Sequence, residues 1–240
     1  MIWSSGTTPV TLVYLPVFCV RERNSTYSQG EALVEKGTLH KIPEKHARAR
    51  KRIDEIAVQL GSARTKGELG TYLIHEIQNY TLFDLQIIGG RLNSEIDKLP
   101  SPYRESIRPY FREQLFGKHH QLLTLHHTRV LARMTDPIHN PETFRKFCEM
   151  LPAGVFSWND SGERNPYFRN PMNRLFYYLI AAFTMFVLDE PGHPVGMPFP
   201  GGFSVEQRGR DYYCLIRDKE KEVFYSICNF CPAHQAEENQ

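Results

Sequence analysis

A chain of 240 residues, 41% hydrophobic, 12% aromatic and 23% charged, can bury about 70–75% of its unfolded surface and needs no staples. Its aromatic content excludes a disordered chain, and 16 glycines with 16 prolines exclude a collagen-like or low-complexity one. Lysine and arginine total 29 against 27 acids, a net charge of +2 too small to demand a nucleic-acid or membrane partner.

Residues 1–20 form an apolar start that could pass for a signal peptide. It has no basic leading region, however, and Pro9 and Pro16 interrupt it. It reads instead as a frayed tail, or as upstream sequence taken in by a misplaced start. Arg21 to Gly30 is polar and reads as a linker, so residues 1–30 are expected to be a poorly ordered tail.

A helical domain is expected over residues 31–190. Within Lys45 to Leu60, Ile53, Ile56, Ala57 and Leu60 recur at helix spacing. Thr65 with Glu68, and Thr81 with Asp84, each open an apolar run in the manner of a capping box. They predict helices over 65–79 and 82–98. Ser101-Pro102, Asn140-Pro141 and Asn170-Pro171 each offer an N-cap followed by proline at the first helical position. They predict helices over 102–134 with a bend at Pro109, over 141–150 and over 171–188. Leu175 to Leu188 is apolar on every face and belongs at the centre of a bundle. It is shorter than the about 20 residues that a bilayer crossing takes.

After Glu190 the pattern changes. The Pro- and Gly-rich stretch 191–202 suits neither a helix nor a central strand. Three β-like runs follow, Phe203–Glu206, Tyr212–Arg217 and Val223–Ile227, with turns at Arg208-Gly209 and Asp218-Lys219. The fold class expected is therefore mainly α: a helical bundle around the apolar helix at about 171–188. A small C-terminal β-hairpin appendix, over residues 191–240, is expected to bind metal.

The cysteines carry that last expectation. Cys19, Cys148, Cys214, Cys228 and Cys231 are an odd set with three near the C-terminus. A secreted disulfide framework is expected in short chains with an even count, so these read as reduced thiols of a cytoplasmic protein. Cys214, Cys228 and Cys231 have the spacing C-x13-C-x2-C. A hairpin between them would return Cys214 to the CxxC pair and make a soft site for zinc or an iron–sulfur cluster. The bland reading is three small buried hydrophobes. A redox CxxC would open a helix after a strand, and no helix follows here. A closed site needs a fourth ligand, and Cys148, His234 and His193 are the candidates, beside an open position. One CxxC where a zinc ribbon carries two, and the Cys231-Pro232 step, leave zinc and cluster evenly matched.

Other motifs read as surface. His119-His120 and His126-His127 repeat at seven residues, which sets residues 120 and 127 about 10 Å apart along a helix, too far for one ion. His75-Glu76 opens a zincin-like pattern whose second histidine is Asn79. Lys41, Lys45, Arg48, Arg50, Lys51 and Arg52 could form a phosphate-binding face, but Glu44 and Asp54 flank them and a solvated helix face is preferred. No Walker loop, dinucleotide fingerprint or nucleophile elbow is present.

The C-terminal third, Pro191-Gly192-His193-Pro194-Val195-Gly196 with Pro198-Phe199-Pro200-Gly201-Gly202, then Tyr212-Tyr213-Cys214, then Cys228-Asn229-Phe230-Cys231-Pro232-Ala233, resembles an uncharacterised protein family of methanogenic archaea. The resemblance covers about 60 residues from Leu175 onward. It implies a cytoplasmic archaeal protein without an assigned activity, and it matches at His193, Cys214, Cys228 and Cys231. The apolar start up to Gly30 departs from the family. The setting of anaerobic methanogens favours a cluster over zinc.

Three functions follow. The first is a metal-binding accessory or interaction protein, the metal fastening loop and hairpin to the bundle, with a protein partner. The second is a metal-dependent or iron–sulfur redox enzyme using His193, Asp189, Glu190 or Arg174 beside the metal. A nucleic-acid-binding protein, resting on Lys41 to Arg52 and the aromatic hairpin, comes third.

Overall fold

The computed structural model describes residues 46–157 and 169–237. The expected tail, the linker and residues 31–45 lie outside the described residues.

Three helices open the fold: α1 (Ala47–Gly61), α2 (Lys66–Ile77) and α3 (Leu82–Asp97). Both capping boxes close. The Thr65 hydroxyl accepts the Glu68 N–H while the Glu68 carboxylate accepts the Thr65 N–H, and Thr81 with Asp84 does the same. Two backbone donors at each helix start are thereby satisfied.

The long helix predicted over 102–134 is shorter and irregular. It runs as α4 (Tyr103–Arg112), a widened π turn (Glu113–Gly117) and α5 (Lys118–His127). Pro102 takes the N-cap place without a side-chain bond, so Ser101 does not cap it. The irregularity follows Pro109 rather than falling on it. The helix ends near Arg129, which turns to φ +58, a left-handed conformation that no helix interior accepts.

Helix α6 (Pro141–Phe156) runs through Pro152 and outlasts its predicted end. Helix α7 (Pro171–Ala182) continues into a second π turn, Phe183–Val187. Asn140 and Asn170 both cap as expected, accepting from the N–H groups of Thr143 and Met172. Arg174 to Val187 is buried throughout, so this segment is the bundle's central rod. Around it Tyr80 and His119 set their rings against Phe176, and Phe144 and Phe147 meet Phe186.

The C-terminal region is small and β-containing, but it is not the hairpin expected. Strands β1 (Pro198–Phe199) and β2 (Phe203–Ser204) pair antiparallel. Strand β3 (Glu206–Arg208) pairs antiparallel with β4 (Asp211–Cys214). The third strand is β5 (His234–Gln235), which lies parallel to β4 with Tyr213 opposite His234 and Cys214 opposite Gln235. The predicted strand Val223–Ile227 does not form. Arg217–Glu220 and Ile227–Phe230 are 3-10 turns, and the Ser226 hydroxyl starts the second by accepting the Cys228 N–H. Strand β5 escaped notice because it is a short, exposed edge with no alternating pattern to read.

In the basic stretch, Arg50, Lys51 and Arg52 each meet an acid. Arg50 bonds Asp54 at 3.1 Å, and Arg52 reaches buried Glu76 at 2.6 Å. Among the described residues no helix is long and apolar enough to cross a membrane.

Candidate metal centre

The parallel pairing of β4 and β5 does one part of what the hairpin was expected to do, for Cys231 and not for Cys228. It carries Cys214 to the segment just after the CxxC, close enough for a Cys214 thiolate to oppose the ionisation of Cys231. Backbone donors surround both sulfurs. The N–H groups of Ile216 and Arg217 point at Cys214. Those of Ala233 and Gly192 point at Cys231, the second at 3.4 Å. Pro232 withholds only the N–H immediately after Cys231, and Ala233 supplies the next.

Burial dominates the electrostatics and pushes both thiols above their ordinary value. The N–H groups and the Arg217 guanidinium work in the opposite direction, because each favours a thiolate. Arg217 is fixed by Asp218 at 2.7 Å and by a longer contact to the Cys231 carbonyl. Cys231 also opens onto a cleft of about 830 Å³ between the bundle and the C-terminal region. His139, Asp189, Arg217 and His234 stand on the cleft wall with it.

The remaining expected residues are dispersed. Cys228 is buried in the 3-10 turn one step before Cys231, its carbonyl accepting the Cys231 N–H at 3.2 Å. His234 is exposed on β5 against the Tyr213 ring. His193 is buried, edge-on to Phe199. Cys148 faces α1, its Cβ 3.6 Å from where a Cβ on Gly61 would lie. The residue that α6 offers to the C-terminal region is its neighbour Phe147, whose ring meets Phe230. Successive helix residues point about 100° apart, so Cys148 is turned away. Arg174 donates to the Val155 carbonyl at the far end of α6. None of the four described cysteines is in a disulfide. Among the described residues no three of His, Cys, Asp and Glu converge as a metal ion requires.

Sequence reasoning missed Gly192, Arg217 and two lysines. Lys66 of α2 pairs with Asp189, and Lys118 of α5 pairs with Glu190 at 2.5 Å. Asp189 itself adopts φ +56, a cost of order 1–3 kcal/mol that surrounding contacts must hold in place. The signal for Gly192 lay in the 191–202 motif, but only as a loop, while Asp189 was named beside the metal without its lysine partner.

The chain was compared with known proteins. Residues 65–236 match the family described as an uncharacterized protein conserved in archaea, DUF2115. The chain belongs to this family. The matched range takes in α2 through β5, hence both thiols and the cleft, and leaves α1 outside. Relatives are methanogen proteins named UPF0305. One from Methanothermobacter thermautotrophicus is 40% identical over 24% of this chain and 35% of its own length. One from Methanopyrus kandleri is 37% identical over 30% and 50%. One from Methanocaldococcus jannaschii is 24% identical over 71% of this chain and 96% of its own length. The first two alignments thus span only a third to a half of those family members. No solved structure matches.

Proposed function

We propose that this family member is a cytoplasmic metal-binding accessory protein whose C-terminal region holds zinc or an iron–sulfur cluster on Cys214 and Cys231. The observation that carries the reading is the paired thiols with backbone N–H groups aimed at both sulfurs, the donor arrangement that stabilises metal-bound thiolates. Cys228, one turn earlier in the CxxC, is the third donor, recruited as the ion binds, because metal sites and local folding are coupled. His234 is the favoured fourth, since it shares the cleft wall with Cys231 while Cys148 faces α1. The bound metal would supply a cross-link between the Pro-Gly loop and the strands. A second reading, a metal-dependent enzyme, draws on the same cleft, where His139 and Asp189 flank Cys231.

Anaerobic purification followed by metal analysis and a visible spectrum tests this. One zinc, or iron with sulfide and an absorbance near about 400 nm, is expected. Cys214→Ser and Cys231→Ser should each lose it while the bundle keeps its helical content. A metal-free wild-type protein after growth with both metals sinks the proposal.

A further inference from the structure

Ligation is not the only chemistry open to the CxxC. Cys228 and Cys231 stand at the two ends of a turn, closed by the Cys231 N–H donating to the Cys228 carbonyl at 3.2 Å. Residues joined by such a bond have Cα atoms less than about 7 Å apart, and a disulfide spans about 4.4–6.8 Å. Side chains three residues apart in a 3-10 turn also eclipse one another. Cys231 keeps the helical φ of −68 that leaves its Cβ in line with that of Cys228.

The turn is held on both sides. The Ser226 hydroxyl accepts the Cys228 N–H, the Asn229 amide donates to the Val223 carbonyl at 2.8 Å, and the Phe230 ring stands edge-on to Phe147. Both sulfurs are buried and neither is in a disulfide. Of the two, Cys231 lines the cleft of about 830 Å³, so a small oxidant meets it first. The N–H groups of Gly192 and Ala233 favour its thiolate, the form that reacts. No α-helix follows the turn, so the pair lacks the helix N-terminus that speeds exchange catalysts. A stoichiometric switch suits it better than catalytic exchange.

We propose that Cys228 and Cys231 form a peroxide-sensitive switch that closes as an intramolecular disulfide. The deprotonated Cys231 sulfur attacks one oxygen of hydrogen peroxide. An S–O bond forms, the O–O bond breaks, and the departing hydroxide takes up the proton that the thiol released, leaving as water. The Cys228 sulfur then attacks that of Cys231, the S–S bond forms, the S–O bond breaks, and a second water carries off the Cys228 proton. The dithiol loses two electrons and the peroxide is reduced to two waters. Forming the bond requires no metal. Its effect on metal binding rests on the metal reading: oxidation withdraws two of three thiolate donors and expels the ion.

Tryptic mapping tests it, because trypsin cuts after Arg210, Arg217 and Lys221. Cys228 and Cys231 then share the peptide 222–240, while Cys214 lies on 211–217. Metal-free full chain is treated anaerobically with excess hydrogen peroxide, then unfolded and alkylated. Peptide 222–240 should be about 2 Da lighter than its reduced form, the loss of two hydrogen atoms, with neither sulfur alkylated and with full reversal by dithiothreitol. Cys214→Ser should form the same bond, and in Cys228→Ser dimedone should trap Cys231 as a sulfenic acid. A bond joining the two peptides, or both sulfurs of 222–240 still open to alkylation, overturns the proposal in the wild-type chain alone. Zinc retained by the oxidised protein overturns it as well. Failure of the reduced protein to take up zinc sinks the metal reading instead and leaves the disulfide standing.

Discussion

Gly192 commits both of its backbone polar groups to buried partners: its N–H to Cys231 and its carbonyl to Gln114. A Cβ there would come within 2.8 Å of the Ile227 terminal methyl, which would have to move aside for any larger residue. The Cys231 thiol it serves, like that of Cys214, is pushed up by burial and holds its proton at neutral pH. A metal must displace those protons. Apparent affinity for zinc should therefore rise with pH, by about tenfold per unit for each thiol deprotonated and about a hundredfold for the pair. Competition with a chelator at two pH values measures it, and a flat profile would remove Cys214 and Cys231 from the ligand set. At this scale the sequence exposed the sulfurs but not what stabilises them. Thiol spacing is written in side chains, whereas their N–H donors belong to the backbone, which looks the same at every residue.

Helix α2 begins by docking onto the segment after α5. Lys66 and Gly67 donate their N–H groups to the carbonyls of Asp136 and Met134. A Cβ on Gly67 would collide with the Met134 carbonyl oxygen and come within 2.6 Å of that of Leu131. Backbone cannot rotate aside as a side chain can, so Gly67→Ala should cost more than about 2 kcal/mol. Loss of the cap in Thr65→Ala, two residues away, should cost about 1 kcal/mol. Thermal melts of the two variants rank them, and the reverse order would show that the docking is loose. The caps at Thr65, Thr81, Asn140 and Asn170 were legible because each is a local bargain between a side chain and the backbone within three residues. The strand pairing was not. Residues 223–227 carry a strand-like composition but turn at Ser226, while β5 pairs through two exposed residues whose only qualification is their tertiary position.

Across the whole molecule the burial of ionisable groups sets an alkaline limit. Cys148 is 4% exposed, and burial moves its thiol from an ordinary value near 9.0 up to about 12. Tyr103 rises from 10.0 to about 12 for the same reason. Groups raised in this way keep their protons longer folded than unfolded. Their contribution is whole below the unfolded value and is lost as pH climbs through the folded one. Melting temperature should fall from about pH 9 upward, with Cys148 accounting for up to about 1.4 kcal/mol per pH unit. Cys148→Ala should be less stable at pH 7 and show a shallower alkaline decline. Parallel declines in both proteins would contradict the placement of this thiol. The bundle was legible at this scale because Leu175 to Leu188 has no polar face, leaving the centre as its only home. The position of Cys148 was not, since a count of donors ignores which way a helix turns them.

The two lysine pairs at the end of the central rod have a mechanical meaning. Asp189 is tethered to α2 and Glu190, the very next residue, to α5. A single tether leaves a chain free to swivel about it, whereas two tethers on successive residues, drawn to separate anchors, fix a direction. The bearing of the chain as it leaves residue 190 is thus taken from α2 and α5 as well as from the rod out of which it grows.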